Sequence, residues 1–414
     1  MNHDDVKPTD MRIRRWRVAV PAVVTALGCL AVAACSSGDS GSTAASPAST
    51  SAACPQPSFG GRPGGAAPSG APAGGVPSGA PAGGVPSGGP AGGLPVAKTI
   101  KPSDTSTSIV YQPAGPAITC GKTPLKLQSD ITYATPTTAD GKPFPLKLDI
   151  QTPESSGTRP LVIYLTGGGF SSAQKSGNLN ERTWVAEQGY VVASIEYRAV
   201  NNGPGTYRDA VADVKSAVRY LRAHAGDYGI NPADVAVWGQ SAGGYLAAMT
   251  GATNGDKSFE KGDNLDQSSD VQGVVDQFGP SDLSKLAADF DPDMQNAYYA
   301  PGDTFAQWVY GPGTKRSIKD STAEIQAANP ASHISSRTPP FIEMHGTQDH
   351  FVSSSQTLIV HEALRAKGIE STRYVLEGAD HGDLSYTGDT NAAKPWNTQQ
   401  TMGYILEFLN KHLS

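Results

Sequence analysis

The sequence predicts an α/β protein with a mostly parallel, doubly wound β-sheet. Short apolar runs alternate with helical patterns through the C-terminal part of the chain. Such runs are typical of strands buried on both faces of a parallel sheet, and their alternation with helices predicts right-handed crossovers. In sheets of this class a functional site lies at the carboxyl ends of the strands. The runs are residues 161–165, 190–195, 235–238, 271–278 and 341–344.

Helical patterns fill the intervals between these runs. The clearest covers residues 208–224, where apolar residues recur on one face and charged residues occupy the other. The other predicted helices are residues 179–188, 242–250, 353–367 and 398–412. Earlier in the chain, alternating residues at 145–150 and a second run at 131–133 predict half-exposed antiparallel strands.

The interval 282–337 has weak periodicity and an aromatic cluster, and we predict a short helical insertion there. Its aromatic side chains either line a pocket or pack on the surface without touching a ligand. These residues are Tyr298, Tyr299, Phe305, Trp308 and Tyr310.

Residues 1–34 are predicted to be a signal peptide of the lipoprotein type. A basic start precedes an apolar run, residues 18–34, that is too short for a comfortable membrane span. The small residues before Cys35 and the polar ones after it look like a bacterial lipoprotein cleavage box. We therefore expect cleavage before Cys35 and lipidation of its thiol. The alternative is a plain secretory signal with a chance Cys, and Sec and twin-Arg export both stay open.

Residues 35–120 are predicted to form a disordered tether rich in Gly, Pro, Ala and Ser, and residues 121–414 a folded domain. A nine-residue block that begins at residue 68 recurs from residue 77 and, altered, from residue 86. The tether is either a spacer that carries the domain away from the membrane or a linker without a selected length.

Two cysteines remain after loss of the signal peptide and lipidation of Cys35. In an oxidising compartment Cys54 and Cys120 could pair and tie the tether to the domain. Two free thiols are the alternative. Neither cysteine has the spacing of a zinc site with the histidines, so we expect no metal.

The charge balance excludes some partners. The formal net charge is −6, and loss of the basic signal peptide brings it to about −8. An acidic chain without basic clusters argues against nucleic acid, and contact with a membrane would come only through the lipid. The oligomeric state is not predicted.

The segment Gly239-Gln240-Ser241-Ala242-Gly243 lies between a strand-like run and a helix-like one. The bare Gly-x-Ser-x-Gly pattern is weak evidence in a chain with 47 Gly, so its context matters more. A sharp turn from strand to helix pushes the Ser hydroxyl outward, and the helix N-terminus favours developing negative charge there. We predict Ser241 to be a nucleophile, against the alternative of an ordinary Gly/Ser turn.

A Ser hydroxyl needs a neighbouring base, and that base needs an orienting carboxylate. The expected order is Ser, acid and His, each in a loop after a strand. His381 fits the base, and Asp349, directly after the strand at 341–344, fits the acid. Asp380 and Asp383 lie too near His381 in sequence to turn a carboxylate toward its ring.

The other histidines in this half of the chain receive no catalytic role. We expect His345 to be a structural loop residue and His350 to be exposed. His361 and His412 lie in helical patterns, and we expect them on the surface.

Attack on a carbonyl also requires donors for the developing oxyanion. The segment Thr166-Gly167-Gly168-Gly169-Phe170 follows the first parallel strand, and its glycines let the backbone approach a bound oxygen. The predicted donors are the N–H groups of Gly168 or Gly169 and of Ala242. A flexible Gly loop is the alternative.

Together these residues resemble an α/β-hydrolase of the hormone-sensitive-lipase-like esterase group, near the BD-FAE and carboxylesterase branch. The resemblance covers residues 128–414. It rests on Thr166-Gly-Gly-Gly-Phe170, Ser194-Ile-Glu-Tyr-Arg198, Asn231-Pro-Ala-Asp-Val235, the Ser241 motif, the Asp349 loop and Asp380-His381-Gly382. It implies the α/β-hydrolase fold and the same catalytic and oxyanion residues.

One residue departs from the family pattern. Thr166 stands where the family usually has a His that braces the glycine loop, so loop rigidity and substrate preference are open. Tyr197 and Arg198 match the family's Tyr-Arg pair and are expected to support that loop.

We therefore predict an exported serine hydrolase that cleaves carboxylic esters through an acyl-enzyme on Ser241. No cofactor is implied, and the substrate is a small-molecule or polymer-linked ester. The alternatives are an amide, formamide or peptide hydrolase on the same scaffold, or a catalytically inactive surface binding module.

Overall fold

The computed structural model describes residues 52–54, 95–320, 322–382 and 391–413. The strands within these ranges are β1 (Ala52–Ala53), β2 (Ile109–Tyr111), β3 (Thr119–Cys120), β4 (Leu125–Ala134), β5 (Leu146–Pro153), β6 (Arg159–Leu165), β7 (Val191–Ile195), β8 (Ile230–Gln240), β9 (Gly273–Gln277), β10 (Phe341–Gly346) and β11 (Ser371–Leu376).

The helices of the same ranges are α1 (Leu179–Glu187), α2 (Tyr207–Ala223), α3 (Ala225–Tyr228), α4 (Ala242–Ala252), α5 (Pro292–Tyr298), α6 (Thr304–Tyr310), α7 (Thr322–Ala327), α8 (Ser355–Ala366) and α9 (Gln399–His412). Short 3-10 helices lie at Lys257–Phe259, Leu283–Lys285 and Pro330–His333. No helix among the described residues has the length and apolar character needed to cross a membrane.

Nine of the described strands form one sheet. Their order is β2-β11-β10-β9-β8-β6-β7-β5-β4. Every neighbouring pair from β2 to β7 is parallel, whereas β5 runs antiparallel to both of its neighbours. The predicted class, a mostly parallel sheet with antiparallel strands from the early part of the chain, is confirmed.

The central strands are buried on both faces because helices cover both. In β6, Leu161, Ile163 and Leu165 lie in the core cluster that α2 and α4 complete. Val162 and Tyr164 lie in the opposite cluster, with residues of α1 and α9. All five side chains are fully buried, and each such burial stabilises the fold by about 1.5–3 kcal/mol. The continuous apolar run in the sequence reflects this two-sided burial.

The predicted helices are present within two residues of their expected bounds. Helix α2 begins after Thr206, whose N–H and hydroxyl both donate to the carboxylate of Asp209, at 3.0 Å each. This pairing satisfies a donor that the first helical turn leaves free. The polar residues of the α2 pattern therefore determine its start, and the apolar ones determine its buried face.

The folded part begins earlier than predicted. Residues 95–120 were assigned to the tether, yet β2 pairs with β11 at the edge of the main sheet. The side chains of Ile109 and Val110 are 48% and 42% exposed. A short edge strand with exposed side chains shows no buried apolar run, which is why its sequence reads as part of the tether.

Cys54 and Cys120 form a disulfide bond. Cys120 ends β3, and Cys54 directly follows β1; these two strands pair antiparallel in a separate two-stranded sheet. Of the two alternatives for these thiols, the structure therefore has the paired one. The predicted signal peptide, Cys35 and the repeats lie outside the described residues.

The interval 282–337 is helical, as predicted, and contains α5, α6 and α7. One expectation about a neighbouring helix is wrong. His361 of α8 is 1% exposed, because its Nδ1 bonds to the Ser371 hydroxyl and its Nε2 to the Thr107 carbonyl. The second partner belongs to the segment before β2, which the sequence did not place in the fold.

Candidate active site

Ser241 occupies the turn between β8 and α4. Its backbone has φ 55° and ψ −123°, a region that costs an L-residue energy and persists only when the surroundings hold it. Here the Ser241 N–H donates to the Gln277 carbonyl at 3.0 Å, and the Ser241 carbonyl accepts from the Tyr245 N–H at 3.0 Å. The strained turn directs the side chain out of the sheet at the carboxyl ends of the strands.

Two glycines allow this turn to form. A Cβ at Gly239 would lie 2.0 Å from the Gly243 carbonyl oxygen, and a Cβ at Gly243 would lie 2.0 Å from the Leu165 carbonyl oxygen. Both neighbours are backbone atoms that cannot move away cheaply. The Gly-x-Ser-x-Gly spacing is therefore a packing requirement between β8, α4 and β6.

The structure brings Ser241, His381 and Asp349 together. His381 Nε2 lies 2.9 Å from Ser241 Oγ, and His381 Nδ1 lies 2.8 Å from Asp349 Oδ2. Because a carboxylate accepts, Nδ1 carries the proton of the neutral ring, and Nε2 is left to accept from the Ser hydroxyl. The rings of Phe278 and Phe351 lie 4.7 and 5.6 Å from the His381 ring, centroid to centroid.

Asp349 is buried and well supplied with donors. Its Oδ1 accepts from the N–H groups of Phe351 and Val352, at 2.9 and 2.8 Å. Burial by itself raises the pKa of Asp349, but the electrostatic attraction of His381 and hydrogen bonds from His345 and His381 outweigh burial and lower this pKa well below its ordinary value. Asp349 is therefore an anion throughout the neutral pH range.

His345 was expected only to support its loop, and the structure places it against the acid. Its Nε2 lies 3.2 Å from Asp349 Oδ2 and 2.9 Å from the Val352 carbonyl oxygen, while Nδ1 lies 3.0 Å from the Thr357 hydroxyl. Burial lowers the pKa of His345, with Asp349 acting in the opposite direction. A strand-end His four residues before the acid was the sequence signal for this contact.

The glycine loop passes directly beside Ser241. A Cβ at Gly167 would lie 3.0 Å from Ser241 Cβ. Gly168 has φ 156° and Gly169 has φ 57°, and a Cβ at Gly168 would lie 2.1 Å from the Ser172 carbonyl oxygen. The N–H groups of Gly168, Gly169 and Ala242 donate no hydrogen bond to a backbone carbonyl in the loops and turns that the structure describes.

Thr166 braces the loop from its start. Its hydroxyl donates to the Gln174 carbonyl at 2.6 Å and accepts from the Gln174 N–H at 3.3 Å. Tyr197 adds a bond from its hydroxyl to the Thr166 carbonyl at 2.7 Å, as expected. A Thr hydroxyl therefore links the two ends of the turn, at the position where the resemblance noted above leads one to expect a His.

Arg198 has a different role from the one expected. Its guanidinium pairs with the buried Asp213 carboxylate at 2.8 Å and donates to the Thr137 carbonyl at 3.2 Å. It therefore links the end of β7 to α2 and to the loop after β4. Of this Tyr-Arg pair, it is Tyr197 whose side chain bonds to the glycine loop.

The helical insertion packs behind the glycine loop. Phe170 is 1% exposed, and its ring lies 4.7 Å from the Trp308 ring and 5.9 Å from the Phe305 ring. The Tyr298 hydroxyl donates to the Phe351 carbonyl at 3.0 Å, close to the acid. The insertion therefore supports the loops that carry the site. Among the described residues, no group of three or more His, Cys, Asp or Glu could hold a metal ion.

Comparison with known families shows which family the chain belongs to. A sequence profile of the BD-FAE family matches residues 148–364, more than half of the chain. The chain belongs to the BD-FAE family. The matched region runs from β5 to α8 and so contains Ser241, Asp349 and the glycine loop.

Curated relatives resemble part of the chain. A probable isoprenylcysteine alpha-carbonyl methylesterase of Arabidopsis thaliana is 30% identical over 240 residues, which cover 58% of this chain and 48% of that protein. A probable carboxylic ester hydrolase of Mycobacterium tuberculosis, LipM, is 30% identical over 207 residues, or 49% of this chain and 44% of that protein. The chain spans about half the length of these relatives.

A solved structure extends the likeness to the fold. An esterase of the planctomycete Thermogutta terrifontis, with butyrate bound, superposes with a TM-score of 0.53 at 25% identity, covering 69% of this chain and 95% of that one. The same esterase has been solved phosphorylated by paraoxon, with a TM-score of 0.52. The likeness to this solved esterase extends over 69% of our chain.

Proposed function

We propose that the protein is an exported carboxylic ester hydrolase in which Ser241, His381 and Asp349 form a catalytic triad. The observation that carries the proposal is the pair of hydrogen bonds on His381, 2.9 Å to Ser241 Oγ and 2.8 Å to Asp349 Oδ2. These are the distances that proton transfer from a serine nucleophile requires. Membership of a family whose relatives are named esterases supports the same chemistry.

Acylation begins when Ser241 Oγ attacks the ester carbonyl carbon. The hydroxyl proton moves to His381 Nε2 as the new C–O bond forms, and Asp349 stabilises the resulting imidazolium. The carbonyl electron pair moves to oxygen and gives a tetrahedral oxyanion. When the alcohol departs, its oxygen takes the proton from Nε2 and leaves an acyl group on Ser241.

Deacylation repeats these steps with water. His381 Nε2 accepts a proton from water as the oxygen attacks the acyl carbon. Collapse of the second tetrahedral species returns the proton to Ser241 and releases the acid. The reaction needs no redox step, and the proposed side chains move every proton.

The proposed oxyanion donors are the N–H groups of Gly168 or Gly169 and of Ala242. All three belong to segments adjacent to Ser241, and the Ala242 N–H opens helix α4, whose N-terminus favours negative charge. Fixed donors at a developing oxyanion contribute about 2.7–4 kcal/mol to catalysis each.

An ester is the proposed substrate because the named relatives act on esters. Those names include a methylesterase, a carboxylic ester hydrolase and an esterase solved with butyrate. We propose a small-molecule or polymer-linked carboxylic ester. Amide or peptide hydrolysis on the same scaffold has no comparable support.

We also propose that the enzyme is exported and anchored by a lipid on Cys35. The basic start, the short apolar run and the small residues before Cys35 motivate this proposal. The Cys54–Cys120 bond supports it, because structural disulfides persist in oxidising compartments. Metabolic labelling with an alkyne fatty acid tests it: Cys35→Ser should lose the label.

The function is tested with the full chain and its Ser241→Ala variant. p-Nitrophenyl acetate, butyrate and octanoate serve as substrates. The matched control is Ser332→Ala, which changes an exposed residue of the 3-10 helix Pro330–His333. We expect the Ser241→Ala variant to lose at least about 10⁴-fold in kcat, with an unchanged circular dichroism spectrum. Full activity in pure Ser241→Ala protein would overturn the proposal.

A fluorophosphonate probe separates the remaining readings. An activated Ser241 should take up one phosphonyl group, detected by mass on the peptide that contains it, and Ser241→Ala should stay unlabelled. Labelling without turnover of any ester would move the assignment to an amide substrate. Neither labelling nor turnover would favour a binding module.

A further inference from the structure

Two Asp-His dipeptides exchange partners beside Ser241. Asp349 bonds to His381 and not to the adjacent His350, and Asp380 bonds to His350 and not to the ring of His381. Both Nδ1–Oδ2 distances are 2.8 Å. The Asp380–His350 pair has no part in the proposed reaction.

The dipeptides lie in two loops that run side by side: the acid loop, residues 347–352, and the base loop, residues 377–382. The Thr347 N–H donates to the Leu376 carbonyl at 3.0 Å, and the Gln348 N–H donates to the Ala379 carbonyl at 2.9 Å. A Cβ at Gly346, just before the acid loop, would lie 2.2 Å from the Ala379 carbonyl oxygen. The two loops therefore stay in contact up to the residues that face Ser241.

Asp380 makes the last of these links. Its Oδ1 accepts from the N–H of His350 at 3.0 Å and from the N–H of His381 at 2.7 Å. Its Oδ2 accepts from His350 Nδ1. The Asp380 carboxylate thus binds His350 in the acid loop and the backbone of His381 in the base loop.

We propose that Asp380, with His350 as its partner, is a positioning residue that sets the spacing of the acid loop and the base loop. The proposal rests on the proposed function. Because Asp380 holds the main chain of His381, it fixes the direction from which the imidazole reaches Ser241 Oγ. A displacement of a reacting group by about 1 Å can cost 10²-fold in rate.

We expect the contact between these two side chains to contribute little to stability. The side chains of His350 and Asp380 are 31% and 24% exposed, and partly solvated contacts between polar side chains are typically weak because solvent competes with them. Alignment and stability therefore respond differently to mutation. This difference makes the proposal testable.

Three variants of the full chain dissect the link. Asp380→Ala removes all three bonds, whereas Asp380→Asn keeps an oxygen for the two N–H groups. His350→Phe removes the imidazole and leaves the backbone bonds. Glu377→Ala, an exposed side chain in the same loop, is the control. Each kcat is divided by the fraction of sites that a fluorophosphonate titrates.

We expect Asp380→Ala to lower kcat per titrated site by about 10–100-fold, with KM changed less than about twofold. Asp380→Asn should recover most of this loss. The kcat of His350→Phe should lie between the values for Asp380→Ala and Asp380→Asn. The far-downfield proton NMR signal of the Asp349–His381 bond should shift or broaden in Asp380→Ala and persist in Glu377→Ala.

Wild-type kcat per titrated site in Asp380→Ala, even in a protein that melts earlier, would overturn the positioning role. A rise in KM at unchanged kcat would overturn it too. The Ser241→Ala variant, assayed in parallel, keeps the two proposals separate. If it is active, the proposed function fails; if it is inactive while Asp380→Ala equals wild type, only the positioning role fails.

Discussion

The imidazole of His345 lies 3.2 Å from the carboxylate oxygen of Asp349 that also receives the hydrogen bond from His381. One buried oxygen therefore faces two histidines, one on each side. His381 connects it to Ser241, and His345 connects it to the Thr357 hydroxyl, which in turn accepts from Arg373 Nε at 3.0 Å. The Asp349 carboxylate is thus held by His345 as well as by His381, the histidine that contacts Ser241.

We expect His345→Phe to lower kcat by about tenfold, because Asp349 loses a donor that orients it. The substitution also leaves the Val352 carbonyl unpaired, which should cost about 1–3 kcal/mol in the free energy of unfolding. Kinetics and urea melts measure the two effects. His224→Phe, at a partly exposed ring after the C-terminal end of α2, should leave kcat unchanged, and wild-type kcat in His345→Phe would contradict the orienting role.

The Thr166 hydroxyl provides a second, matched pair of variants. Thr166→Val keeps the shape but breaks both bonds to Gln174, so the glycine loop should loosen and kcat/KM should fall about tenfold. Thr166→Ser keeps the hydroxyl and should stay close to wild type. Equal kinetics for Val and Ser would show that the hydroxyl does not brace the loop.

Gly168→Ala tests the glycine loop itself. The new Cβ would meet the Ser172 carbonyl oxygen at 2.1 Å, at φ 156°, so the loop must change its path. We expect about a 10²-fold loss in kcat, the effect of losing one oxyanion donor. Gly403→Ala, with nothing within 4 Å of the new Cβ, is the control and should be neutral or slightly stabilising in α9.

Asp276 predicts a pH dependence of stability. Burial raises its pKa to about 8, with a further contribution from Glu343. Because the folded value lies above the unfolded value of about 3.9, the native state holds a proton that the unfolded chain releases. The free energy of unfolding should therefore fall as pH rises from about 4 to about 8.

The variant Asp276→Asn isolates this effect because it removes the titration. Its stability relative to wild type should increase by a few kcal/mol between pH 4 and pH 8. Chemical denaturation across that range measures the difference. A difference that is flat with pH would show that Asp276 is ionised in the folded protein.

The disulfide should stabilise the fold less than its loop length suggests. Closing a loop of 66 positions is worth about 4 kcal/mol if only the unfolded chain gains freedom on reduction. However, β1 pairs with β3 through two residues, so the Cys54 end would be held weakly in the folded protein as well. We expect Cys54→Ser to lower the free energy of unfolding by less than about 2 kcal/mol, with esterase kinetics unchanged.

Much of this architecture could be predicted because its strands are buried on both faces. A continuous apolar run such as residues 161–165 predicts a β-strand, and it also predicts that the strand lies in the centre of the sheet. β2 gives no such signal, since Ile109 and Val110 are largely exposed at an edge. The ordered segment from 95 onward was assigned to the tether for that reason.

The candidate site also contains residues that the sequence could predict and contacts that it could not. Ser241, Asp349 and His381 could be selected because each follows a strand in a fixed order along the chain. The contacts of His345 and the partner of Asp380 depend on how two loops approach one another. Sequence spacing does not encode that approach, although the repeated Asp-His dipeptide was a visible sign of it.

If the protein is anchored through Cys35, as proposed, the Cys54–Cys120 bond also sets how far the domain can move from that anchor. The repeats lie between the two cysteines, so the bond closes them into a covalent loop. They then add no length to the covalent path from Cys35 to the domain. A lipid on Cys35 would connect to the domain through Cys54, a leash of about 19 residues or roughly 65 Å at full extension. Reduction would put the repeats into the path and lengthen the leash to about 60 residues, roughly 200 Å. With the proposed lipid on Cys35, the distance over which the enzyme can search from its anchor would therefore depend on the oxidation state of one bond.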